Sequence, residues 1–251
     1  MKEVIYWISD DELKNIYSAE YWNDLNEEMK KEWWIDDGDY ERCMNYLNKS
    51  LMLEYNESKV YIENFNKTDI DILDLAAGIG WTSVLMSKMK NVSSVHAVEI
   101  SKHRITSLFE HCNIMLSGMG DKINRYLGSF YDIKLENNSI DLIYMSQAFH
   151  HANAPMKLLF ECDRVLKNSG RIILVGEHYI GLKLIIRRFI ANLIKKRKLT
   201  FNFYELFQPN SISGDHYYRI SDYQFLFESL GYSFQYKKLK NGKAIFIADK
   251  L

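Results

Sequence analysis

The 251-residue chain has two prolines and three cysteines. Cys43, Cys112 and Cys162 are far apart, odd in number and in no metal-like pairing. That excludes a disulfide framework and offers no zinc spacing; no metal is expected. No apolar run reaches 18 residues, and no apolar signal segment opens the chain. The expectation is a reduced, cytoplasmic setting without stable membrane insertion. A net charge of −1 gives no overall pull toward nucleic acid, which is not expected as a partner. One absence is local: no Asp or Glu occurs between His178 and Tyr204. What is present is ordinary for a globular chain, 47% hydrophobic and 26% charged, enough for one α/β domain with an appended subdomain.

The most informative stretch runs from Ile70 to Thr82. Ile70 to Leu75 is short and mostly apolar, as a buried parallel strand is, and small residues follow at once. Val84, Leu85 and Met89 then suit a helix, so Ala76, Gly78 and Gly80 sit at a strand-to-helix junction where a ligand can approach the backbone. Asp74, the last acid of the strand, is expected to point its carboxylate into that crevice. A dinucleotide dehydrogenase needs Gly-x-Gly-x-x-Gly, and Ser83 stands at the third glycine position. Asp74-x-Ala76-x-Gly78-x-Gly80 instead resembles motif I of the class I S-adenosylmethionine-dependent methyltransferases, with Ala76 for the first glycine. The resemblance implies S-adenosyl-L-methionine as cofactor and S-adenosyl-L-homocysteine as product.

A second strand, Ser94 to Glu99, ends in an acid suited to accept hydrogen bonds from both ribose hydroxyls. Further on, Gly128-Ser129-Phe130-Tyr131-Asp132 and Ser139-Ile140-Asp141 match the family's spacing position for position. Ser129 replaces the acid that often holds the adenine amino group, which leaves Ser129 and Asp132 as alternative acceptors. The resemblance thus implies a cofactor set of Asp74, Ala76, Gly78, Gly80, Glu99, Ile100, Ser129, Phe130 and Ser146. After the fourth strand, Phe149-His150-His151 resembles the family's paired histidine, at the sheet end where open α/β sheets place ligands. His150, His151, His178 and His216 are candidate bases, because imidazole accepts protons near neutral pH. His151 is the preferred one, in the loop that the family sets beside the transferred methyl. Glu177-His178 and the run Gly214-Asp215-His216-Tyr217-Tyr218-Arg219 are candidate substrate contacts.

Residues 1 to 68 carry 16 acids against 8 basic residues. The Trp- and Tyr-rich runs over 17–22 and 27–35 favour helices, and the family implies a lid over the cofactor. The expected division is a helical lid over 1–66 and a methyltransferase domain over 67–251 with an insert at 181–216. In that insert, an apolar helix over 184–194 ends in Lys195-Lys196-Arg197-Lys198. It reads as a solvated helix end, a membrane-surface helix or a basic wall for an anionic substrate. Asn241-Gly242 between two strand-like runs signals a hairpin. The family implies a seven-stranded Rossmann-like α/β sheet of order 3-2-1-4-5-7-6 closed by that hairpin. Methylation of exocyclic amines in nucleic acid needs Asn/Asp-Pro-Pro-aromatic after the fourth strand, and cytosine C5 methylation needs Pro-Cys; neither occurs. The acceptor expected is a small-molecule or glycan-linked one, resembling substrates of surface-polysaccharide methyltransferases. A small-metabolite N-methyltransferase is the alternative, ahead of a nicotinamide dehydrogenase or a silent cofactor-binding protein.

Overall fold

The computed structural model describes residues 1–16, 22, 34–196, 202–210 and 214–251. The helices expected over 17–22 and 27–35 lie outside the described residues apart from Trp22, Trp34 and Ile35, as do Arg197 and Lys198. The N-terminal part contributes β1 (Val4–Tyr6), α1 (Asp10–Leu13), α2 (Tyr40–Lys49), α3 (Leu51–Ser58) and α4 (Val60–Glu63). Next come β2 (Ile70–Leu75), α5 (Trp81–Ser87), β3 (Val92–Glu99), a π turn over Arg104–Leu108 running into α6 (Phe109–Met115), and β4 (Ile123–Leu127). The remainder is β5 (Ile140–Ser146), α7 (Pro155–Val165), β6 (Leu166–Glu177), α8 (Leu182–Lys196), α9 (Phe203–Leu206), α10 (Ile220–Glu228), β7 (Tyr232–Lys238) and β8 (Ala244–Lys250).

Every β2 residue except Asp71 is buried, because helices cover both faces of the parallel sheet. Successive residues feed opposite layers. Ile70 and Ile72 join α2 to α6 on one face, while Leu73 and Leu75 join α7 and α10 on the other. A third, smaller cluster of Ile180, Leu206 and Phe207 carries α8 through Leu184, Ile185 and Phe189.

The sheet has eight strands, not the expected seven, in the order β1-β4-β3-β2-β5-β6-β8-β7. The additional strand is β1, which pairs parallel to β4 at the edge from Val4–Arg125 to Tyr6–Leu127. It places a strand ahead of the helices of the N-terminal part. A three-residue edge strand with Ile5 and Tyr6 exposed has no burial pattern to announce it. The buried Arg125 guanidinium fixes the edge by donating to the carbonyl of Lys2 at 2.7 Å. A second correction concerns β6. This strand begins at Leu166, which pairs with Ile140, where the sequence suggests a helix end at Leu166, a break over 167–170 and a strand from Arg171. β8 runs antiparallel between β6 and β7, and five residues, 239–243, close the hairpin. Among the described residues no helix is long and apolar enough to cross a membrane.

Candidate active site

A cleft of about 330 Å³ opens beyond the C-terminal ends of β2 to β5. Leaving β2, Ala76, Gly78 and Gly80 all take positive φ, 54°, 57° and 79°. Gly80 is obligatory for packing, since a Cβ there would enter the ring of Phe109. At Gly78 a Cβ would meet nothing within 4 Å, so this glycine keeps space open for a ligand beside the main chain. Ala76 and Gly78 line the cleft, whereas Gly80 only shapes the turn. Glu99 closes the next side. Its carboxylate accepts from the amide of Gly78 at 2.7 Å and of Ser101 at 2.8 Å. Each oxygen keeps a second lone pair, the pairing needed to receive two neighbouring hydroxyls.

Ile100, Ser129, Phe130 and Ser146 complete this half of the lining. Of the two open adenine acceptors, Ser129 lies at the cleft. Asp132 is absent from the lining and pairs instead with Lys134 at 2.5 Å. Asp74 departs from expectation. It does not line the cleft, and its Oδ2 accepts from the hydroxyls of Thr82 at 2.6 Å and Ser83 at 2.5 Å. The two α5 hydroxyls compete successfully for the carboxylate. Complete burial raises it to about 6 despite those bonds, and Oδ1 has no hydrogen-bond partner among the described residues.

Opposite stand the histidines. The short turn Phe149–His151 after β5 puts His150 and His151 in the lining. Glu177 at the end of β6 holds that turn. It is fully buried, so it is not the substrate contact expected. It accepts from the amides of Ala148 and Phe149, both at 3.0 Å, and faces His150 Nδ1 at 2.7 Å. Burial alone would raise the Glu177 carboxyl, but the charge of His150 and its hydrogen bond hold it below its ordinary value. Burial likewise opposes charging His150, yet Glu177 lifts its pKa. Asp215, from the insert, places Oδ1 3.0 Å from His151 Nδ1 and 4.0 Å from His150 Nε2. His150, His151 and Asp215 offer three donor atoms within 4.8 Å of one another. Asp215 thus sets a carboxylate beside the two adjoining imidazoles.

His178 and His216 do not reach the lining. His178 Nε2 meets the carbonyl of His216 at 2.8 Å, and His216 Nδ1 meets that of Gly214 at 2.7 Å. Burial and the neighbouring His150 lower the His178 pKa. The His178 ring thereby ties the end of β6 to the insert, the His216 ring bonds within the insert, and the amide of His216 fastens the insert to the turn on the carbonyl of His150 at 2.7 Å. Among residues 183–194, whose side chains are described, none lines the cleft; the side chains of Lys195 to Lys198, the basic run itself, lie outside the described residues.

Three lining or bracing residues escaped the sequence reading. Trp22 packs edge-on against His151 with centroids 5.1 Å apart, and Arg104 lies over Trp22 at 5.0 Å. Glu54, buried in α3, accepts from Gln147 at 2.8 Å and pairs with Lys243 at 3.0 Å. The Trp-rich acidic segment hinted at the first; nothing local signals the other two.

Residues 73–174 match the family model described as a methyltransferase domain. These residues form a methyltransferase domain. A sarcosine/dimethylglycine N-methyltransferase of Aphanothece halophytica is 30% identical over 105 residues, 41% of this chain and 36% of that protein. The match therefore spans little more than a third of the relative's length. A solved S-adenosylmethionine-dependent methyltransferase from Aquifex aeolicus superposes with a TM-score of 0.53 at 18% identity, covering 77% of this chain and 87% of its own. One from Methanosarcina mazei gives 0.54 at 20%, covering 76% and 97%. At these identities the structures speak for the fold. The cofactor of this class fits the residues present. Gly78 leaves the approach open, Glu99 offers a fixed pair of acceptors, and the cleft volume suits a ligand of that size.

Proposed function

We propose that this chain methylates an oxygen of a small polar acceptor, a sugar or phosphoryl-type group destined for surface polysaccharide, in the cytoplasm. S-adenosyl-L-methionine supplies an activated methyl on a positive sulfur and departs as S-adenosyl-L-homocysteine. The protein's tasks are then alignment, exclusion of water and removal of one proton. Glu99, Ala76 and Gly78 hold and orient the cofactor. The observation that carries the oxygen-acceptor reading is Asp215 Oδ1, 3.0 Å from Nδ1 of the cleft-lining His151. With that carboxylate beside its ring, His151 takes the acceptor's hydroxyl proton as the new C–O bond forms and the methyl–sulfur bond breaks. His150, clasped by Glu177, keeps the turn in place. Residues 1–66 serve as the lid, and Trp22 against His151 is the contact that supports it.

A second reading is N-methylation of a small amine, favoured by the likeness to the Aphanothece enzyme. Incubation with the cofactor and a panel of sugars, sugar phosphates, sarcosine and dimethylglycine distinguishes them by mass. A methyl added to a sugar or phosphoryl oxygen supports the first reading. A methyl added to the amines alone replaces it with the second.

A further inference from the structure

Helix α8 of the insert leaves one face uncovered. Leu182, Ile186, Ile190 and Ile194 recur every fourth residue and are 72, 49, 49 and 73% exposed. This spacing makes one stripe along the helix. Tyr204, just beyond it in the chain, is 69% exposed. The stripe is not spare core, because the opposite side of α8 does the packing. Leu184, Ile185 and Phe189 meet the cluster of Ile180, Leu206 and Phe207. Arg188 is drawn to that side too, donating to the carbonyl of Leu206 at 2.6 Å and lying 4.2 Å over the ring of Tyr217.

The charges beside the stripe have one sign. Lys183 and Arg187 are exposed next to it, and Lys195-Lys196-Arg197-Lys198 ends the segment in the sequence. From Tyr179 to Phe203 there is no acid at all. A second copy of this face would meet its own charge, so a symmetric pairing through α8 is disfavoured. An aliphatic stripe on a helix whose charged residues are all cations suits a plane of uniform negative charge. We propose that α8 docks on an anionic phospholipid bilayer surface, lying in the headgroup plane with Leu182, Ile186, Ile190 and Ile194 turned to the lipid. The inference rests on this face and is independent of the methyl-transfer reading. Docking there sets the acceptor side of the cleft close to the bilayer, since Tyr217 under Arg188 packs on His178 at 4.9 Å and His178 on His150 at 4.4 Å.

The test is cosedimentation of the full chain with phosphatidylcholine vesicles, with and without phosphatidylglycerol. Binding is expected to the anionic vesicles and to weaken as salt is added. Lys183→Gln/Arg187→Gln should weaken it by roughly thirtyfold, about a factor of five for each cation near the surface. Ile186→Gln/Ile190→Gln should weaken it by roughly tenfold or more through lost apolar burial. Affinity for S-adenosylhomocysteine should be unchanged in both variants, which shows that they fold and separates this inference from the cofactor assignment. Absence of binding to either vesicle, equal binding to both, or full binding by the two variants overturns the proposal. So does a vesicle-independent dimer, or binding to an acidic protein in place of vesicles, that the same substitutions abolish.

Discussion

Around Glu99 the cleft is held by main-chain amides, and around His151 it is held by side chains from distant segments. The amides of Gly78 and Ser101 that grip Glu99 sit within the same β2–α5–β3 unit. The histidine turn instead depends on Glu177 from β6, Asp215 from the insert and Trp22 from the N-terminal part. A site built from backbone is set by the local fold and admits many side chains around it. A site built from buried charged side chains fails when a single partner is removed. The cofactor half should therefore degrade by degrees, and the acceptor half abruptly.

The largest effect is expected at His151. His151→Asn keeps a polar side chain but no titrating one, and kcat should fall about 10²–10⁴-fold with cofactor affinity retained. Near-normal kcat would move proton removal away from this residue.

Glu177→Ala comes next. It leaves the amides of Ala148 and Phe149 unpaired and His150 without its counter-charge, at about 3–5 kcal/mol of folding stability by denaturant melt. The pair has a defined pH window. Glu177's depressed carboxyl contributes above the ordinary carboxyl pKa and is lost as pH falls through its folded value. His150's raised pKa contributes below the ordinary histidine pKa and is lost as pH rises through its folded value. The difference in stability between wild type and Glu177→Ala should be greatest between those limits. A pH-independent difference would mean that the pair carries no charge.

Asp74 tests the other half. Its carboxyl rises from 3.8 to about 6 on burial, so the folded state binds more protons and stability falls as pH climbs through that interval. The slope amounts to at most on the order of 3 kcal/mol in the ligand-free protein, and Asp74→Asn should lack it. An unchanged slope in the variant would assign the proton to another group.

The two halves also differ in what the sequence discloses. Strand β2, its small-residue turn and Glu99 follow from neighbours in the chain, and the histidine turn follows from its place after β5. Asp74 was misjudged because the hydroxyls of Thr82 and Ser83, a turn further on, outcompete the cleft for its carboxylate. Glu54 gives no local sign of burial, for its partners Gln147 and Lys243 lie far along the chain. The apolar helix before the basic run showed its periodicity but not which side packs, which depends on the cluster of Ile180, Leu206 and Phe207 beneath α8. Long-range ion pairs are a property of the assembled fold, and periodicity carries no record of them.

The smallest expected effect belongs to the residue on which the account turns. Calorimetric titration with S-adenosylhomocysteine should show binding to the wild type, no binding of NAD, and a loss of about 1–3 kcal/mol in Glu99→Ala, where two ligand donors lose their acceptor. Unchanged affinity in a folded Glu99→Ala protein, or binding of NAD in place of S-adenosylhomocysteine, would contradict the assignment of this cleft to the methyl donor.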